Sequence, residues 1–188
     1  IKVNGAQFDG WTIFRPGNTN NVDATWGPIR RLIINKDLLY YFQDYGFGVW
    51  NVSPNVQVVG DDGTSIQIGS GGVLHEYKYI STEGGCQHKW SISTNPSGIV
   101  WYDQINRKLS IITGNENIGG SIAGINNFIQ NLPDIGFNPL ELNGVLSGYY
   151  KNTDETFITF QTPEMITTWV FNNLGKGFLV LIIVSHSI

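Results

Sequence analysis

Short apolar and aromatic runs, closed by Gly, Asn or Asp, recur along the chain. Leu38-Leu39-Tyr40-Tyr41-Phe42 lies between Lys36-Asp37 and Asp44, and Gly48-Val49-Trp50-Asn51-Val52 follows a break at Tyr45-Gly46. This spacing predicts two antiparallel strands joined by a short turn. Asp61-Asp62-Gly63-Thr64 predicts a hairpin between Val56–Val59 and Ile66–Ile68, because Gly supplies the positive φ of a tight loop. Gly98–Asp103 and Lys108–Ile112 should pair across Gln104–Arg107. Tyr149-Tyr150 or Phe157–Phe160 should then pair with Ile166–Phe171, with a further strand from Phe178 onward. The longest apolar stretch, Phe178–Val184, is far short of the ~20 residues of a membrane helix, so it predicts a buried strand and no membrane span.

One stretch departs from this pattern. From Ser121 to Asn131, Ile122, Ile125, Ile129 and Leu132 fall at helical spacing, with Ser121 placed to cap the start and Pro133 to stop the end. A short amphipathic helix covering one side of a sheet is expected there. A weak repeat also emerges: LLYYFQDYGFGVWNV, GIVWYDQINRKLSII and TFITFQTPEMITTWVFN each read as strand, turn, strand. They recur about every 60 residues, close to the ~50 of kelch-type blades. The expected fold is all-β and mostly antiparallel, with partial β-propeller-like blades and one short helix; a β-sandwich is the alternative. Residues 1–188 read as one β-rich segment with about three blade-like repeats. Such repeats do not close a ring of about four to eight blades, so other blades are expected outside the segment.

Charge narrows the function classes. Only 14% of the 188 residues are charged, with 11 Lys and Arg against 15 Asp and Glu for a net charge of −4. A nucleic-acid binder would want a basic stripe, and a disordered chain would be less apolar and less aromatic. Cys86 is the only cysteine, which excludes an internal disulfide and a cysteine-built metal site. The chain opens at Ile1 with neither Met nor a basic-then-apolar leader, as expected of a segment of a longer polypeptide.

Candidate chemistry is sparse. His75, His88 and His186 share no metal-binding spacing, and the adjacent His75 and Glu76 would point to opposite faces of a strand. Cys86 and His88, two apart, would face one side of an extended segment, but a catalytic thiol wants a positive setting and an orienting third group. Among the carboxylates Asp61, Asp62, Glu76, Glu83, Asp103, Asp134, Glu141, Asp154 and Glu155, none forms a pair singled out by spacing. Asp103 is placed to cap the turn that follows it. Asp61-Asp62-Gly63 lacks the ligand spacing of a calcium loop, and Gly69–Gly72 and Gly84-Gly85 lack a phosphate-loop pattern, reading as bulges or tight bends. Asn51-Val52-Ser53 is a glycosylation sequon that predicts nothing without a secretory context. No cofactor, metal or catalytic residue is therefore expected. The tryptophans offer two readings: filling the space between sheets, or, at Trp11, Trp26 and Trp50, stacking on a glycan.

Three strings, GPIRRLIINKDLLYYFQDYGFGVWNV, IQIGSGGVLHEYKYISTEGGCQHKWSI and SGIVWYDQINRKLSIITGNENIGGSIAGINNFI, carry a family resemblance. Over roughly residues 1–178 the chain resembles a segment of the large tail proteins of crAss-like phages of gut bacteria. The shared pattern is a strand at Gly71–Leu74, a loop at Tyr79–Thr82, strands at Lys89–Ser91 and Gly98–Asp103, Asn106–Lys108, and a short helix at Ser121–Phe128. Leu179–Ile188 departs from the aromatic and Ser/Tyr strand of that pattern. The resemblance implies a structural part of the virion tail, made in the bacterial host cytoplasm: a nozzle or muzzle in which propeller domains ring the DNA exit channel. It implies packing against other tail proteins and against copies of itself, with roles in host attachment and DNA ejection and no catalysis. A weakly acidic wall would let DNA pass without specific binding, since basic residues would grip its phosphates. The rival expectations are a carbohydrate-binding propeller that recognises host surface glycans, and a glycan-degrading hydrolase with two convergent carboxylates.

Overall fold

A computed structural model describes residues 20–36, 38–52, 56–59, 65–68, 74–113, 116–118, 125–132, 135, 144–162, 165–172 and 177–183. Fourteen strands and one helix run in the order β1 (Ile29–Asn35), β2 (Leu38–Gln43), β3 (Phe47–Val52), β4 (Val56–Val59), β5 (Ser65–Ile68), β6 (Leu74–Ser81), β7 (Ser93–Asn95), β8 (Gly98–Asp103), β9 (Lys108–Thr113), β10 (Glu116–Ile118), α1 (Ile125–Gln130), β11 (Gly144–Tyr150), β12 (Glu155–Gln161), β13 (Ile166–Asn172) and β14 (Gly177–Ile183). Every strand pairing is antiparallel. Three sheets are four-stranded: β1-β2-β3-β6, β7-β8-β9-β10 and β11-β12-β13-β14. The fourth is the β4–β5 hairpin, inserted between β3 and β6.

Among the described residues the chain adopts the expected all-β class with one short helix. The β8–β9 hairpin closes at Asp103↔Lys108, as its spacing predicts. β4 pairs with β5 as expected; Asp61–Thr64 lies outside the described residues. Of the two alternatives for the last pairs, Phe157–Phe160 in β12 is the one that pairs with β13; Tyr149-Tyr150 in β11 pairs with β12 instead, and β13 then pairs with β14. The alternation of ETFITFQ explains β12: Thr156, Ile158 and Phe160 are buried on one face, and the residues between them are half-buried.

Two elements differ from the pattern implied by the resemblance. Lys89–Ser91 is a 3-10 turn rather than a strand, closed by Ser91 N–H donating to the His88 carbonyl at 2.8 Å. Here the chain leaves the first sheet and turns toward the second, so ladder bonds give way to a local one. Conversely, Tyr79–Ser81 continues β6 instead of forming a loop. Tyr79 lies opposite Gly48 in the ladder, and its ring meets Tyr41 edge-on at 5.5 Å.

The three large sheets stack in sequence. All six residues of β8 are buried. Strand alternation sends Ile99 and Trp101 into a core with Tyr40, Phe42 and Phe47 of the first sheet. It sends Val100 and Tyr102 into a second core with Val145, Ile158, Phe160 and Trp169 of the third sheet. The middle sheet is therefore covered on both faces, giving three layers where a β-sandwich has two. The helix joins the second core through Ile125, Ile129 and Leu132, at the predicted spacing. Ser121 and Pro133, its expected cap and stop, lie outside the described residues. Arg107, at φ +45°, donates from Nη1 to the carbonyls of Gln130 and Leu132 at 3.1 and 3.2 Å, tying the end of α1 to the β8–β9 turn.

Candidate functional site

The site is built from two features, a polar belt that locks the first two sheets together and an open edge beside it. Apolar packing has no direction, so it leaves relative sheet orientation weakly specified; buried hydrogen bonds specify it. Gln43, fully buried at the end of β2, is the hub. Its Nε2 donates to the carbonyls of Asp23 and Gly27 at 2.9 and 2.5 Å, and its Oε1 accepts from Tyr79 Oη at 2.6 Å. Its backbone carbonyl accepts from Cys86 N–H at 2.9 Å. Residues 82–91, which connect the two sheets, continue the belt. Gln87 donates from Nε2 to the Asp44 carbonyl and accepts at Oε1 from Gln104 N–H at 2.9 Å. His88 Nε2–H donates to Gln104 Oε1 at 2.5 Å, and burial holds its pKa below the ordinary value. Asn106 Nδ2 reaches the Glu83 carbonyl at 2.8 Å. Gly85 is needed for close approach, because a Cβ there would strike the Gln43 carbonyl oxygen.

Cys86 and His88 do not form a nucleophile pair. The thiol donates to the His88 backbone carbonyl at 3.2 Å and lies 3.4 Å from Ser91 Oγ. Burial pushes its pKa up to about 12, so it stays protonated at neutral pH and is no nucleophile. The described carboxylates do local structural work. Asp103 caps its turn as the sequence predicts, accepting from Asn106 N–H at 3.1 Å and from Asn106 Nδ2 at 2.7 Å. Burial raises its pKa despite those bonds. Asp154 accepts from Tyr149 Oη at 2.8 Å, and Glu155 from Thr153 Oγ1 at 2.7 Å. Among the described residues no three His, Cys, Asp or Glu side chains gather as a metal site, and no helix is long and apolar enough to cross a membrane.

The edge left open among the described residues is β1. Together with the Lys89–Ser91 turn it frames a cavity of about 450 Å³ lined by Ile29, Arg30, Arg31, Leu32, Lys89 and Trp90. Arg30 is engaged by Asp44 in a two-pronged ion pair, Nε to Oδ1 at 2.5 Å and Nη2 to Oδ2 at 2.9 Å. Arg31 Nη1 donates to the Lys89 carbonyl at 2.9 Å. The Arg31 guanidinium and the Lys89 ammonium both sit over the Trp90 ring, 5.8 and 4.9 Å from its centroid.

The Lys89–Ser91 turn and β7 both adjoin β11, the first strand of the third sheet, and Ser147 Oγ donates to the Ser91 carbonyl at 2.7 Å. A sequence model described as Crassvirus muzzle protein matches residues 1–182. The chain belongs to the Crassvirus muzzle protein family. A relative from Bacteroides phage crAss001, called muzzle protein, is 27% identical over 158 residues, covering 84% of this chain and 12% of its own length. The segment thus spans about an eighth of that muzzle protein.

Of the tryptophans expected to stack on a glycan, two lie among the described residues of this muzzle-family segment. Trp11 lies outside the described residues. Trp26 is half-buried, edge-on to Tyr79 at 6.3 Å. Trp50 is only 3% exposed, with its ring 5.0 Å from Tyr41. Trp101 and Trp169 fill the cores between sheets. Among the described tryptophans the exposed one is Trp90, at 55%. Neither Trp90 nor Gln43 carries a local signal. Trp90 is open because the chain turns at the sheet boundary, and the Gln43 amide is satisfied by residues 20 and 36 positions away, the Asp23 carbonyl and the Tyr79 hydroxyl.

Proposed function

We propose that this segment is a structural part of a phage tail muzzle, a nozzle ring around the DNA exit channel, acting by protein–protein packing without catalysis. The observation that carries the reading is β8, which is buried on both faces between two further sheets. Each large sheet is a four-stranded antiparallel meander, the sheet that a propeller blade uses. The first strands adjoin where β7 meets β11, whereas α1, with Phe128 against both Phe160 and Trp169, bridges the second and third sheets further out. Four-stranded sheets that pack face to face in succession, with a helix added between the second and third, support the reading of three blades within a larger rotor. Membership of the muzzle family across residues 1–182 supports the placement in a virion.

On this reading the segment works by shape. Its cores hold blades at one angle, its polar belt stops them from sliding, and its exposed edges meet copies or other tail proteins. A glycan platform needs an open ring face, which Trp50 does not offer. Gold labelling of intact virions with antibodies raised against this chain tests the proposal. Decoration at the tail end is expected; label confined to the capsid, or absent from virions, overturns it.

A further inference from the structure

We infer that the outer edge of β1, together with the cavity beside Trp90, accepts an added β-strand from a protein partner, and that this strand is acidic and apolar. β1 is the end strand of its sheet, and among the described residues no strand pairs with its outer side. An unpaired edge is a template for another chain, and proteins usually blunt it with Lys, Pro, a bulge or a covering element. A bulge does lie at the start, between Ile29 and Arg31, but Leu32-Ile33-Ile34-Asn35 runs on in regular register with no proline and no charge. Leu32 is 51% exposed and Ile34 71%, so two large aliphatic side chains lie open at alternate positions of this strand. A strand added there would find main-chain partners along the edge and apolar contacts at alternate positions.

The charge at the cavity identifies the partner. The whole chain is net negative, yet this cavity is lined by three cations and no carboxylate. Asp44 satisfies Arg30, whereas Arg31 and Lys89 face each other across Trp90 with only a backbone carbonyl and the ring as partners among the described contacts. A carboxylate brought in by an adjoining strand would complement both. A sugar would have to displace a cation from the indole face to stack. An oligonucleotide would satisfy the cations but not the exposed Leu32 and Ile34 or the strand edge. An acidic strand satisfies all of them. This inference concerns a surface and does not depend on the tail reading.

The test uses fluorescence anisotropy with the full-length protein and three labelled peptides: alternating Val and Glu, alternating Val and Lys, and the Val/Glu peptide N-methylated at every second amide. The acidic peptide should bind at least about tenfold more tightly than the basic one. The N-methylated form, which cannot complete the ladder, should lose binding. Arg31→Ala with Lys89→Ala should remove the preference for acid, and Ile34→Lys should abolish binding by guarding the edge. Ile34 is exposed, so that variant should keep the parent's melting temperature and circular dichroism, which separates loss of docking from loss of fold. Equal binding of both peptides, no binding of either because the chain's own residues cover β1, or binding insensitive to N-methylation overturns the inference. So does tighter binding of oligothymidylate or polygalacturonate at the same two cations.

Discussion

Trp101 of β8 meets Phe47 of β3 across two sheets, their ring centroids 4.7 Å apart and their planes at 65°, while Trp101 Nε1–H donates to the Gly85 carbonyl at 3.1 Å. One side chain therefore packs the first core and also anchors the connection that crosses it. Trp101→Ala should destabilise the chain by about 3–5 kcal/mol, as other large aromatic truncations in cores do. Trp101→Phe keeps the ring contact but leaves the Gly85 carbonyl without its donor, for a smaller loss of about 1–3 kcal/mol. Urea unfolding checks both. A loss below about 1 kcal/mol for the alanine variant would show that the two sheets are not joined here.

A buried hydrogen bond links the middle and third sheets. Asn95 Nδ2 donates to Thr156 Oγ1 at 3.0 Å, while Asn95 Oδ1 accepts from Gly98 N–H at 2.9 Å. A double-mutant cycle with Asn95→Ala and Thr156→Val should return a coupling of about 0.5–1.5 kcal/mol. Strict additivity would mean that this bond does not fix the two sheets.

Arg107 combines a left-handed backbone with two bonds to the end of α1. Arg107→Ala loses the bonds and keeps a Cβ in an unfavourable conformation; Arg107→Gly loses only the bonds. The glycine variant should be the more stable of the two by about 1 kcal/mol. Amide exchange in Ile125–Gln130 should quicken in both. Unchanged exchange would separate the arginine from helix docking.

His88 makes stability depend on pH in a defined direction. Burial lowers its folded pKa below the ordinary 6.5, so the unfolded chain takes up the proton first as pH falls. The stability of the neutral, buried ring is fully present above pH 6.5 and is lost as pH drops through that value toward the depressed one. Asp103, with a raised pKa, has the opposite sign and acts nearer the acid range. Melting temperature measured between about pH 7.5 and 5.5 should therefore fall, and His88→Gln should flatten the slope. Parallel slopes for parent and variant would remove His88 as the cause.

Much of the strand order is legible in local pattern. The β8–β9 hairpin follows from two apolar runs around a turn that Asp103 caps, and β12 from strict alternation in Glu155–Gln161. Such elements depend on residues a few positions apart, so a one-dimensional reading finds them. β1 is harder to read. Its alternation is broken by paired arginines and a bulge, and its apolar side chains point partly into solvent. The Lys89–Ser91 turn is illegible for another reason, because it exists only where the chain passes from one sheet to the next.

By itself the sequence determined that the chain is β-rich and antiparallel, with one short helix. Those properties follow from side-chain period and turn chemistry, which are local. Only the tertiary structure decided which tryptophans are buried, that the middle sheet is covered on both faces, and that residues 82–91 are tied to both sheets, Cys86 and Gln87 to the carbonyls of Gln43 and Asp44 on one side and Gln87 to Gln104 on the other. Each of these depends on residues far apart in sequence meeting across a sheet boundary, where burial and hydrogen-bond satisfaction are properties of the assembled layers and of no single segment.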